Sequence, residues 1–185
     1  MRIQLDIDYK NNVFELPELS RIHGEPPTAT LLDLRNEIRC NAQSVTTTLG
    51  GGKHGHLGLV MSESLYTSLP DATPYIKPEY PGPFQIEDPV ATDVEIAQEK
   101  SDWDESMRLW REVESVERAI VQQIVAVVEP KYLKALRNQI TTKITTDVKG
   151  ILSYLFNSYG KVPPSILKRY EEESQRLRLR PKRPN

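Results

Sequence analysis

The stretch Ser101–Gly160, SDWDESMRLWREVESVERAIVQQIVAVVEPKYLKALRNQITTKITTDVKGILSYLFNSYG, decides the fold. Trp103, Met107, Trp110, Val113, Val116, Ile120, Ile124 and Val127 recur in steps of three and four. That spacing puts them on one stripe of a helix of about seven turns. The helix should start between Val90 and Asp102 and stop at Glu129–Pro130, since proline cannot continue the ladder but suits the first turn of a new helix. Tyr132, Leu133, Leu136 and Ile140 suggest that next helix, over about Lys131–Gln139. Thr146 with Asp147 caps another, with Ile151, Leu152, Leu155, Phe156 and Tyr159 on its apolar side and a left-handed stop at Gly160. Pro163–Pro164–Ser165 opens a last helix through about Leu177. A chain whose strongest signal is helix packing assembles or binds rather than catalyses.

Upstream, Ile3, Leu5 and Ile7 alternate with polar residues and suggest a short strand, with Val13–Leu16 as its returning partner. Leu31, Leu34, Ile38, Ala42 and Val45 line one helix, with Thr30 as cap and Asp33 completing a capping-box-like start. The threonines and glycines at 46–52 end it. His56–Met61 is a short apolar run read as a strand, and Ser62 caps a short helix through Leu65 and Leu69. Six prolines between Pro70 and Pro89 make that segment extended and irregular. Tyr75, Ile76, Tyr80 and Phe84 favour an arm packed on the helices.

The fold expected is therefore mainly α-helical, a bundle with a small α/β N-terminal module (residues 1–69), a proline-rich extended connector (70–89), a helical domain (90–175) and a basic tail (176–185). No apolar run approaches the length of a membrane span, and the N-terminus lacks the apolar core of a secretory signal. The single cysteine, Cys40, excludes an internal disulfide and reads as a buried structural thiol in a reducing compartment, hence a cytoplasmic location. Net charge is −2, but residues 1–100 carry 15 acidic against 8 basic side chains and residues 101–185 carry 11 against 16. Arg176, Arg178, Arg180, Lys182 and Arg183 fall in the last ten residues, which hold no acid. They are either a solvated end or a sequence-independent contact to nucleic-acid phosphates.

Catalytic and cofactor readings are weak. Gly50–Gly51–Gly52–Lys53–His54 fails as a phosphate loop, because a helix precedes it, no glycine sits at position 47 and residue 54 is His. His54 and His56 have no third or fourth ligand nearby for zinc, and read as exposed or hairpin-stabilising. Asp102, Asp104 and Glu105 sit near the expected start of the long helix and offset its dipole. Trp103 and Trp110 read as core or subunit contacts, as do Met107, Ile120, Ile124, Leu155 and Tyr159. No catalytic residue, cofactor, metal or small-molecule substrate is expected.

The words TLLDLRNEIRCNAQSVTTTLGGGKHGHLGLVMSESLYTSLPDATPYIKPEYPGP (30–83) and AIVQQIVAVVEPKYLKALRNQITTKITTDVKGILSYLFNSYGKV (119–162) resemble the Gag-like part of copia-type LTR retrotransposon polyproteins, as found in diatom and oomycete genomes. The resemblance runs over roughly residues 30–176 and includes no catalytic signature. It implies a capsid-like protein that is helical, self-associating and packed around or in contact with RNA. The sequence departs from the full pattern in having no C-x-x-C-x-x-x-x-H-x-x-x-x-C zinc knuckle and no protease, integrase or reverse-transcriptase motif. It implies a Gag fragment, a degenerate copy or a derived host gene. The alternative is a host-domesticated adaptor that binds another protein through the same apolar face.

Overall fold

A computed structural model describes residues 13–86 and 90–160. Among them run four α-helices, α1 (Thr28–Ser44), α2 (Glu63–Thr67), α3 (Asp93–Val127) and α4 (Val148–Tyr159), with 3-10 turns at Leu49–Gly51, Leu57–Leu59 and Pro130–Leu136. The protein is mainly helical.

α3 starts where its sequence supplies both halves of a capping box. Thr92 Oγ1 accepts from the Glu95 amide at 3.4 Å, and Glu95 Oε2 accepts from the Thr92 amide at 2.8 Å. It stops before Pro130, with Val128 and Glu129 already extended. α4 is capped by Asp147, whose Oδ1 accepts from the Gly150 amide at 2.8 Å.

The long helices α1, α3 and α4 pack pairwise on one another. Leu31, Leu34 and Ile38 of α1, Val113, Val116, Ile120 and Ile124 of α3, and Val148, Ile151 and Leu155 of α4 meet in one buried cluster. Burying each such side chain is worth about 1.5–3 kcal/mol, so this face holds the helices together. Leu57, Leu59, Val60, Met61 and Tyr66 join the same cluster, so both halves of the chain share a core.

α3 outruns that core. None of its side chains from 93 to 106 is buried. Residues 77–84 instead lie along it, running antiparallel. Lys77 pairs with Glu114 and Glu117, the Tyr80 ring meets Trp110 at 4.9 Å, and the Gly82 carbonyl accepts from Trp103 Nε1 at 3.0 Å. Seven extended residues span about 22 Å, close to the rise of the helix over that stretch.

Several local expectations are corrected. Thr30 lies inside α1, whose N-cap is Pro27, and no side chain caps it. Proline at that position, extended at φ −71°, positions the chain for the helix without a donor. The described residues contain no strand. Val13–Leu16 is irregular because its backbone bonds to side chains of α1 and α3, and His56–Met61 folds as a buried 3-10 turn. The expected strand at Ile3–Ile7 and the helix from Ser165 lie outside the described residues, and so does the basic tail. The helix expected over Lys131–Gln139 is a 3-10 turn that ends at Leu136, where Arg137 and Ile144 pair across a tight turn. Gly160 has φ −72°, not a left-handed value.

Candidate functional site

Among the described residues, a chain of interacting titratable side chains gathers on His56. Its amide donates to the Ala42 carbonyl at 2.8 Å, which docks the 55–61 loop on the end of α1. Gly55 makes this approach possible: its φ is +51°, and a Cβ there would run into the Gln43, Val45 and Ala42 carbonyls. The imidazole is completely buried. Nε2 lies 3.1 Å from Glu112 Oε1, and Nδ1 lies 2.7 Å from the Tyr75 hydroxyl. A carboxylate can only accept, so the neutral ring carries its proton on Nε2 and accepts the Tyr75 O–H at Nδ1. Glu112 Oε2 in turn accepts from Arg108, which also grips Glu105 through two nitrogens. The chain Tyr75–His56–Glu112–Arg108–Glu105 thus leads from a half-buried phenol to the surface of α3.

Burial sets the electrostatics. It pushes the His56 pKa below the usual histidine value, against the opposing pull of Glu112. It pushes the Tyr75 phenol far above its ordinary value, helped by the negative charge of Glu112. Tyr75 packs edge-on against His56 and Tyr66, with ring centroids 6.1 and 5.6 Å apart. The Tyr66 hydroxyl donates to the Gly50 carbonyl at 3.2 Å, and His54 Nε2 sits 2.6 Å from the Pro70 carbonyl. The reading of His56 as exposed or hairpin-stabilising is therefore corrected. His56 is a core residue that fastens the 70–86 segment to α3. The glycine run serves the same cluster, since a Cβ on Gly50 would overlap Tyr66 and one on Gly58 would overlap Tyr75.

A phenol, an imidazole and a carboxylate in sequence form a proton relay in principle. Here the ring is sealed, and neither of the two cavities described in this molecule is lined by its members. The larger, about 930 Å³, opens beside α3 and the 137–147 turn, with Lys77, Arg118, Arg137 and Lys143 mixed with Glu114 and Glu117. The smaller, about 270 Å³, lies under residues 17–21. Among the described residues no three His, Cys, Asp or Glu side chains are grouped as a metal site would require.

No family model, curated protein or solved structure matches the chain.

The residues singled out in the sequence fall into distinct places. Ile120, Ile124 and Leu155 are core, and Met107 is buried outside the main cluster. Trp103 and Trp110 are half-buried, because the core does not extend to them and the 80–84 segment covers part of each. The Lys100 ammonium closes over the Trp103 ring at 4.1 Å. Tyr159 is half-buried against Tyr132 and Tyr154. Cys40 is half-exposed rather than buried, because it sits at the edge of the α1 stripe, and its Sγ donates to Glu15 Oε2 at 3.3 Å. Arg176, Arg178, Arg180, Lys182 and Arg183 lie outside the described residues.

Sequence reasoning missed a second polar cluster. Asn41 and Gln123 are buried and bonded to each other at 2.9 Å. Each stands inside an apolar stripe, which was the signal available. No helix among the described residues is long and apolar enough to cross a membrane.

Proposed function

We propose that this chain is a non-enzymatic, Gag-like structural protein of the cytoplasm that assembles with copies of itself and contacts RNA through charge. The observation that carries the reading is the apolar edge at the N-terminal end of α3. Ile86, Val90 and Val94 are 49%, 83% and 79% exposed. Exposed apolar side chains at and just before the start of a helix that outruns its own core suit a protein surface better than water. The complete burial of the His56 ring fits a packing role for that residue. The Gag-like words at 30–83 and 119–162 support the choice of partner, a second copy. RNA contact is assigned to Arg176, Arg178, Arg180, Lys182 and Arg183. With no aromatic residue in that tail, it should be sequence-independent and fall steeply with salt.

Light scattering across a concentration series, with and without RNA, tests this. Mass that rises with concentration supports assembly. RNA binding that disappears on deleting residues 176–185, with assembly intact, supports the tail. A chain that stays monomeric at high concentration favours the domesticated adaptor, which would use the same edge for a different protein.

A further inference from the structure

Residues 13–24 form an arm with neither helix nor strand. Phe14, Leu19 and Ile22 anchor it in the core. Its backbone is read by distant groups. Asn41 takes both polar groups of Leu16, accepting from its amide and donating to its carbonyl, each at 2.8 Å. Gln123 Nε2 donates to the carbonyls of Leu16 and Pro17 at 3.0 and 3.1 Å. The Ile22 amide donates to the Val127 carbonyl at 2.9 Å, and the Gly24 amide to Glu129 Oε1 at 2.6 Å. Main-chain bonds combined with apolar side-chain anchors are how a cleft holds an extended peptide. All these partners lie on α1, on α3 or just past its end. None of them requires the arm to belong to the same chain.

The tether is Gly24–Glu25–Pro26–Pro27. The chain turns at Gly24, with φ +74° and open space where a Cβ would stand. Pro27 is already extended, at φ −71° and ψ 161°. Straightening one glycine would carry the arm out of its own cleft and leave the contacts of residues 13–22 reproducible in a neighbour. We infer that the arm of residues 13–24 exchanges between two copies of this chain, each arm filling the α1–α3 cleft of the other. This inference rests on the self-association reading above and adds a second contact between copies to the exposed edge of α3. The exchanged pair keeps the contacts of the closed chain, so the balance is decided by the tether and by concentration.

Cys40 provides the reporter, since its Sγ lies 3.3 Å from the Glu15 carboxylate of the arm. A tagged copy carrying Glu15→Cys and Cys40→Ser is mixed with untagged wild type, incubated at high and low concentration, treated with a short bismaleimide and run on a denaturing gel. A tagged–untagged covalent pair can form by this contact only when one arm lies in the other's cleft. The Glu15→Cys single variant, crosslinked within one chain at low concentration, verifies that both thiols react. The expected result is a mixed band that grows with concentration, and grows several-fold further when the tagged copy also carries Gly24→Val, because a β-branched residue disfavours the positive φ of the closed turn. Dimers seen by light scattering without a mixed band overturn the exchange and leave self-association standing. A chain that remains monomeric at every concentration, with no mixed band, overturns both.

Discussion

Asn41 on α1 and Gln123 on α3 stand 82 positions apart and share a hydrogen bond of 2.9 Å in the core, with both amides turned onto Leu16. This pair is where the two long helices and the N-terminal arm are brought into register. A buried amide stabilises only while its partners remain. Asn41→Ala and Gln123→Ala should each lower stability by about 1–3 kcal/mol, since the first strands the Leu16 amide and the second the Pro17 carbonyl. In a double-mutant cycle the second substitution should cost less than it does alone, by about 0.5 kcal/mol or more. Strictly additive losses in urea unfolding would mean that the two amides act independently.

The His56 ring makes a different demand, because it must stay neutral. Facing it are Tyr75 from the proline-rich segment and Glu112 from α3, which is itself bound to Arg108; Tyr66 and His54 complete the surrounding cluster. Burial lowers its folded pKa below 6.5, so the unfolded chain binds the extra proton first. Stability is therefore complete above about pH 6.5 and falls as the pH drops below it. Protonation also puts a proton on Nδ1, and the Tyr75 hydroxyl must then turn round to accept it. The melting temperature should decline from pH 7 to pH 5 more steeply in the wild type than in His56→Gln. Parallel curves for the two proteins would remove His56 as the cause.

The glycine-rich loop is tested by its neighbours. Gly58 lies against the Tyr75 ring and Gly50 against Tyr66, each without room for a Cβ. Gly58→Ala should cost about 1–3 kcal/mol through overpacking, and Gly50→Ala should add the strain of a φ of +60°. Lys53 at the exposed end of the loop should tolerate alanine within about 0.5 kcal/mol. Thermal unfolding of the three variants gives the ranking.

How much of this was legible follows from the range of each signal. α3 was visible because its stripe repeats every three or four residues over many turns, and Asp147 and Pro130 mark boundaries by local chemistry. His56 was not, because its partners stand at positions 75 and 112 and a single polar residue inside an apolar run has no periodicity. Trp103 and Trp110 continue the stripe of α3, and the spacing cannot show where the core ends beneath it. The 80–84 segment takes over as their cover. Val13–Leu16, at the start of the arm, reads as a strand because a short run of β-favouring residues looks alike whether its backbone bonds to a sibling strand or to the side chains of helices.

Core and surface isoleucines separate packing from hydrophobicity alone. Ile120 is completely buried at the meeting of the helices, and Ile140 is 91% exposed at the tip of the 137–144 turn. Ile120→Ala should cost about 2–5 kcal/mol, the lost transfer energy plus the cavity left behind. Ile140→Ala should change stability by less than about 0.5 kcal/mol. Equal effects in denaturant titrations would contradict the packing described for α3.

The apolar edge at the end of α3 is exposed in one copy, so its replacement should affect assembly and spare the fold. Ile86 and Val94 are 49% and 79% exposed, and neither belongs to the core cluster. Placing Asp at both positions puts two charges where an interface between copies would have to desolvate them. In the double variant the melting temperature should stay within about 2 °C of wild type, because the surface change removes no packed contact. The concentration needed to reach a given assembly size should rise at least about tenfold, which corresponds to about 1.4 kcal/mol at the contact. Dimers formed by arm exchange should survive, since the arm and its cleft lie on other residues. Sedimentation velocity on wild type and variant, at matched concentrations, distinguishes these outcomes. An unchanged distribution of assemblies would place the contact between copies elsewhere than on this edge.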